Sequence, residues 1–190
     1  TGQAATFPQA KLLMGKADLD ALKAEPTPFG ADPKLLAHWL TEGGKVEPVI
    51  GDKDIYGDGT VTMLSAPGHT PGSYALLVRL QKKGNVLLSG DVVHFEEQFK
   101  NKGVPGFNTS RAETLASMDR IQKMAAALKA TLVVQHDAND IGKLPAFGER
   151  GVGRSLPPDH AHHRCINSPP RARGTRARER ARSRGMAWPN

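Results

Sequence analysis

A chain of 190 residues, 38% of them hydrophobic, is long enough for one domain with a core of ordinary size. Its formal net charge of +7 suggests a nucleic-acid partner until it is located: residues 1–147 carry 13 Lys and 3 Arg against 16 Asp and Glu, whereas residues 148–190 carry 10 Arg, no Lys and 3 acids. The body is therefore neutral, which removes the electrostatic case for nucleic acid there; its lack of cysteine (Cys165 stands in the basic tail) excludes a disulfide framework and a thiolate zinc site in the body, and no apolar run nears the ~20 residues that span a bilayer.

In chain order, Lys11–Met14 reads as a strand ending at Gly15, and Asp18–Lys23 as a short helix with Asp18 as its N-terminal cap. Asp32-Pro33 opens a second helix that runs to about Thr41 and stops at Gly43-Gly44, because Asp caps well and Pro suits the first helical position. Lys45–Ile50 and Thr60–Ser65 read as strands around the turn-rich Gly51–Gly59, and Ser73–Leu80 with Val86–Ser89 as a hairpin joined by the polar Gln81–Asn85. The strongest helical pattern is Ser110–Leu128, where Leu115, Met118, Ile121, Met124, Ala125 and Leu128 recur at three- and four-residue steps behind a Ser110/Glu113 capping box. Thr131–Val134 is a buried-type strand that leads into Gln135-His136-Asp137. Strands and helices mixed in this way predict a layered α/β domain.

From about Gly148 the composition changes. Arg replaces Lys, Pro157-Pro158 and Pro169-Pro170 break any periodicity, and Arg171–Arg184 has neither a helical nor a strand pattern. Such a segment cannot bury enough apolar surface to fold, so residues 148–190 are expected to be a disordered tail beside a domain of residues 1–147. A basic arm for nucleic acid or an acidic membrane surface is the rival reading of the tail.

Three polar tips follow apolar strands. Ala66-Pro67-Gly68-His69-Thr70-Pro71-Gly72 follows Ser65 and presents His69 in a tight loop; Leu87-Leu88-Ser89-Gly90-Asp91 ends in a carboxylate; Val133-Val134-Gln135-His136-Asp137 ends in an imidazole. Ligand-binding groups in α/β sheets gather at strand ends, and neutral imidazole with carboxylate is the donor set of zinc and similar metals. Taken singly, each tip is equally an ordinary loop: a hydrogen-bonded His, a Ser-Gly-Asp turn, an Asp that caps the next turn of chain.

Taken in this order, Pro-Gly-His-Thr-Pro-Gly, then Ser-Gly-Asp about twenty residues later, then a strand-ending His resemble the second half of the metallo-β-lactamase-fold hydrolase superfamily. The resemblance covers residues 1–147 and implies a four-layer αββα sandwich, here incomplete at the N-terminus, with two divalent metal ions, zinc being expected, at one edge. It implies His69 as a ligand of the first metal, Asp91 as the bridge and a catalytic group, and His136 as a ligand of the second. The superfamily's leading His-x-His-x-Asp-His does not occur in the chain; Thr1-Gly2 reads as the continuation of that signature, so the chain is expected to start just after it. Asp137 and Ser89 are the expected partners that orient the imidazoles.

Asp91-Val92-Val93-His94-Phe95-Glu96-Glu97-Gln98-Phe99 and Gly103-Val104-Pro105-Gly106-Phe107-Asn108 resemble the N-acyl-homoserine lactonase branch. In that branch a tyrosine commonly stands three residues after the bridging Asp and contacts the lactone; His94 stands there in this chain, where it can donate a hydrogen bond to the carbonyl or leaving oxygen or be a surface loop residue. Phe95 and Phe107 are candidate substrate-binding residues, a wall for an acyl chain with Phe99, although at least one of the three is expected in the core. The resemblance implies hydrolytic opening of a lactone, an N-acyl-homoserine lactone, as in quorum quenching. The alternatives are another ester or thioester hydrolase of the glyoxalase II type and a catalytically inactive fragment. The expected partner is a small lactone or ester, with no nucleic acid or membrane for the body; a homodimer and either a cytoplasmic or a periplasmic location are compatible with the sequence.

Overall fold

The computed structural model describes residues 3–28 and 30–144. The expected disorder of 148–190 and the boundary near residue 147 lie outside the described residues. Among the described residues seven strands and four α-helices succeed one another in order: β1 (Leu12–Gly15), α1 (Lys16–Leu22), α2 (Ala37–Leu40), β2 (Val46–Val49), β3 (Lys53–Asp54), β4 (Val61–Ser65), β5 (Tyr74–Leu80), β6 (Gly84–Leu88), α3 (Glu97–Asn101), α4 (Arg111–Ala127) and β7 (Thr131–Val133).

The principal sheet has the order β3-β4-β5-β6-β7 and is antiparallel except for its last pair, β6 with β7, which is parallel. Register decides its faces, because residues paired across strands share a side. Thr62 pairs with Leu77, Leu64 with Ala75, Leu77 with Leu87 and Leu87 with Leu132, which makes one apolar face. On that face Leu64, Ala75, Leu77 and Leu87 join Met118, Ile121 and Ala125 of α4 in the buried core, with Val92, Val93, Phe99 and Val134 at the end where the site lies. The other side is apolar as well: Met63 pairs with Leu76, Leu76 with Leu88, Val78 with Val86 and Leu88 with Val133. A sheet that is apolar on both faces belongs to a layered sandwich, and the mixed α/β fold expected from the sequence is the one observed. Of the four expected layers, the described residues supply the five-stranded sheet and the helix on it; β1 and β2 form a separate two-stranded parallel sheet.

α4 matches its sequence pattern closely. The Ser110 hydroxyl accepts from the Glu113 backbone N–H at 3.3 Å. The capping box is only half made, however, since the Ser110 N–H donates to the Gly68 carbonyl rather than to the Glu113 side chain. Thr114 and Ser117 lie in the buried stripe with Met118 and Ile121, two polar residues where the periodicity calls for apolar ones.

Other expectations need correction. Asp18 does not cap α1; that helix begins at Lys16 with Gly15 as its cap residue, and the Asp18 carboxylate instead accepts from the Gly72 N–H at 2.7 Å and the Thr70 hydroxyl at 2.6 Å. The second helix is opened as expected by Asp32, which accepts from the Lys34 N–H, but its first turn, Pro33–Leu36, is a 3-10 helix before the single α-turn of α2. β3 and α3 have no counterpart among the sequence expectations. Two residues and five residues are too short to show a period, and the Asx turns at Asp54, which ends β3, and at Asp58 beyond it give the segment a loop composition. Among the described residues no helix is long and apolar enough to cross a membrane.

Two measurements test this packing. Leu87 is 0% exposed between sheet and helix, so Leu87→Ala is expected to lower the unfolding free energy by about 2–5 kcal/mol, read from chemical denaturation; a loss under about 1 kcal/mol would place the core elsewhere. On β2, Glu47 is bonded by Lys11 and also by Lys53, which together hold its carboxyl down at about 2 from an ordinary 4.5. A depressed carboxyl contributes stability that is full above its unfolded pKa and fades as pH falls through the folded one. Glu47→Gln should therefore flatten the acid limb of the stability curve between about pH 4.5 and pH 2, and an unchanged limb would refute the contribution.

Candidate metal centre

The parallel β6–β7 pair brings two polar tips to the same edge. Leu88 pairs with Val133, so both strands end level and their continuations leave in the same direction. The Ser89 N–H donates to the Val133 carbonyl at 3.0 Å, and the Gln135 side-chain oxygen accepts from the Gly90 N–H at 2.7 Å. Gly90 has φ +56°, and a Cβ there would meet the Tyr74 carbonyl oxygen at 2.3 Å, so the turn passes where only glycine fits. The result is that Asp91 Oδ1 and His136 Nε2 meet at 2.8 Å.

The third tip comes from the β4–β5 connection. The Ser110 N–H donates to the Gly68 carbonyl, the Thr109 N–H and hydroxyl to the His69 carbonyl, and the Ser117 hydroxyl to the Pro67 carbonyl at 2.7 Å. From the opposite side Asp18 grips Thr70 and Gly72, and Thr70 also shares a 2.6 Å contact with the Ser73 hydroxyl. The loop is thus held between α1 and the first two turns of α4, with His69 Nε2 3.6 Å from Asp91 Oδ2. His69 Nδ1 faces Asn108 Oδ1 at 3.1 Å.

His94 completes the cluster. Its backbone N–H and that of Phe95 both donate to the Gln98 side-chain oxygen, at 2.7 and 2.9 Å, which ties the loop to α3. The ring lies 4.9 Å from that of His136 and 5.6 Å from that of His69 between centroids. Burial pushes its pKa down, against the pull of Asp91 and with help from His136 and His69, so the imidazole is held neutral. Its Nδ1 is buried without a hydrogen-bond partner. Phe107, 69% exposed, sets its ring edge-on to both His69 and His94 at 5.9 Å.

Of the expected site residues, His69, Asp91, His94, His136 and Phe107 come together. Phe95 is half-exposed and lines a separate shallow hollow with Glu96, Glu97, Lys100, Asp137 and Asn139. Phe99 is in the core, as expected for one of the three phenylalanines. Asp137 and Ser89 do not contact an imidazole: Asp137 accepts from the Glu96 and Asn139 N–H groups, which hold its carboxyl below the usual range, and the Ser89 hydroxyl donates to the Gly90 carbonyl. The bonded partner of His69 is Asn108, which no local pattern in the sequence singles out.

The residues fit a cation. Asp91, His94 and His136 bring one ligand atom each within 4.8 Å of one another, the one such group among the described residues. The 3.6 Å from His69 Nε2 to Asp91 Oδ2 is close to the ~3.4 Å between two donors on one tetrahedral zinc at ordinary bond lengths. Imidazoles beside a carboxylate are the donors that such a metal takes.

No family model matches the chain. It is 39% identical over 84 residues to the N-acyl homoserine lactonase AttM of Azorhizobium caulinodans, covering 44% of this chain and 32% of that protein. With the protein of the same name from Rhizobium johnstonii it is 29% identical over 141 residues, 72% of this chain and 53% of the relative. The chain thus spans between a third and about half the length of these relatives. In three dimensions it superposes on a quorum-quenching N-acyl homoserine lactone hydrolase with a TM-score of 0.63 at 20% identity, covering 76% of this chain and 56% of that one. It likewise superposes on a hydrolase of the β-lactamase superfamily, AbOPH, with a TM-score of 0.53 at 15% identity over 72% and 51% of the two chains. The resemblance read from the motifs therefore holds in sequence and in fold.

Gly68 offers a test of how the loop is held. Its φ is +132°, and a Cβ there would lie 2.3 Å from the Thr114 backbone nitrogen. Gly68→Ala is expected to cost more than about 1 kcal/mol and to shift the His69 ring resonances; thermal denaturation and histidine NMR unchanged from wild type would show that the loop does not rest on α4.

Proposed function

We propose metal-dependent hydrolytic opening of a lactone ring, with an N-acyl-homoserine lactone as substrate. The observation that carries this reading is the convergence of three strand-end tips, 22 and 45 residues apart in sequence, on one cluster of His69, Asp91 and His136. The names of the relatives support the substrate: one superposed lactone hydrolase has N-hexanoyl-L-homoserine bound at its catalytic metal centre, and another lactonase, AidC, is described as dizinc.

His69 and His136 would hold two divalent metal ions, zinc by their donor set, with Asp91 between them. Such ions, when bound, acidify a water and polarise an ester carbonyl. Asp91 presents one oxygen toward each histidine, so it can orient both sides of the centre and accept a proton from the attacking water. That water adds to the ring carbonyl, the ring C–O bond breaks, and the departing alkoxide takes up a proton. His94, kept neutral by burial, can donate a hydrogen bond to the carbonyl or leaving oxygen. Phe107 offers an exposed aromatic edge beside both histidines for the acyl chain, and Phe95, half-exposed just after His94, would meet only a chain that reaches the separate hollow it lines. Residues 1–147 are proposed as the C-terminal portion of the catalytic domain, with 148–190 outside it.

The test is zinc binding together with proton release from N-hexanoyl-homoserine lactone. It is measured on the chain itself and on the chain joined to the N-terminal half of an aligned lactonase that carries His-x-His-x-Asp-His. Turnover is expected in the joined protein. Asp91→Ala should remove bound metal and lower kcat by at least ~100-fold; activity unchanged in that variant would refute the bridging role. His94→Phe should lower kcat by about 10²-fold with metal content intact, whereas loss of metal would make His94 a ligand. Hydrolysis of a thioester but not the lactone would move the function to the glyoxalase type, and dependence of zinc binding on residues 148–190 would refute the assigned boundary.

A further inference from the structure

We infer that Asn108 is a positioning residue that fixes His69 in the Nδ1–H tautomer and so reserves its Nε2 lone pair for a metal. This tautomer emerges from counting protons along a chain of hydrogen bonds. Thr114, 1% exposed on the buried stripe of α4, has one hydroxyl proton, and it lies 2.7 Å from the Ser110 carbonyl oxygen, which can only accept. The Thr114 oxygen is then an acceptor toward its remaining neighbour, the Asn108 side chain, and receives the amide N–H at 3.1 Å. That fixes which way the Asn108 amide points, because its two ends differ: the nitrogen donates and the oxygen accepts. The oxygen is left facing His69 Nδ1 at 3.1 Å and requires a proton there.

A neutral imidazole carries one ring proton. With it on Nδ1, Nε2 has only a lone pair, and this nitrogen stands 3.6 Å from the Asp91 carboxylate. Two acceptors facing each other at that distance repel unless a cation or a shared proton donor bridges them. The hydrogen-bond chain from α4 therefore prepares a cation site before any cation arrives. A free imidazole favours the opposite tautomer, with the proton on Nε2, so the Asn108 contact works against the intrinsic preference of the ring. Partners that orient metal-bound histidines commonly change metal affinity by about 10–100-fold when removed.

The inference rests on His69 being a ligand, but its test needs neither metal nor activity. The 190-residue chain labelled with 15N-histidine is stripped of metal with a chelator and examined near pH 8.5 by two-bond proton–nitrogen correlation, with His69 assigned through His69→Gln. Wild type is expected to show a protonated Nδ1 and an unprotonated Nε2. Asn108→Ala should move the ring to the Nε2–H form, and Asn108→Asp, which keeps the acceptor, should restore Nδ1–H. Thr114→Val, which frees the amide to turn, should give a mixture, and the His94 and His136 resonances report whether each variant is folded. An Nε2–H ring in wild type overturns the inference on its own, whatever the variants do; an unchanged ring in a folded Asn108→Ala does the same. A zinc titration of the same samples, and of the joined protein with and without Asn108→Ala, separates the two readings. The expected tautomers with no zinc binding by the joined protein would refute the metal centre and leave the role of Asn108 standing, whereas zinc affinity falling about 10–100-fold in Asn108→Ala agrees with both.

Discussion

The parallel contact between β6 and β7 is the constraint on which the site depends. Antiparallel neighbours send their ends in opposite directions, so two tips of adjacent strands share an edge only if the strands run the same way. β6 and β7 do, in the register that pairs Leu88 with Val133, and each then needs only two or three further residues to deliver Asp91 and His136. A slip of one residue in β7 would turn Val133 and Val134 inside out and carry His136 to the far side of the sheet. The burial of Leu87, Val133 and Val134 guards against that slip, and the Gln135–Gly90 bond closes the two tips onto each other. Core packing and site geometry are in this sense one interaction.

Around that pair the centre is assembled by polar groups at the end of a helix. α4 lies on the sheet through Met118, Ile121 and Ala125, but one turn earlier its buried face becomes Thr114 and Ser117. These two hydroxyls, with the backbone N–H of Ser110, serve the loop carrying His69 and the Asn108 amide. Buried polar groups are costly unless bonded, and here each is bonded to something that positions a histidine.

What the sequence discloses and what it withholds divide along physical lines. A strand followed by Gly-Asp or by His is a local pattern, so Asp91, His136 and the His69 loop are legible directly, as is the stripe of α4. Asp18 has the look of a helix cap because Asp before a helical pattern usually is one, but its partners, Thr70 and Gly72, lie more than fifty residues away. Asn108 is hidden for the same reason: nothing near it in sequence distinguishes a turn residue from one that orients His69. Asp137 and Ser89 are close to the candidate ligands along the chain, whereas proximity in space belongs to other residues. A usable signal does exist. Thr114 and Ser117 interrupt the apolar period of the best helix, and polar residues within such a stripe mark where a helix serves a site rather than the core.

The close seat of Gly68 on the Thr114 backbone has a thermodynamic side. The loop carrying His69 has no room to move independently of the first turn of α4, and helix ends are where helices fray most readily. Fraying there would release the Ser110 N–H, the Thr114 hydroxyl and the histidine in one event. Linkage makes the dependence reciprocal: whatever ligand immobilises His69 also holds the helix end closed, and the amide protons of that turn would exchange with solvent more slowly in proportion to how tightly the ligand is held.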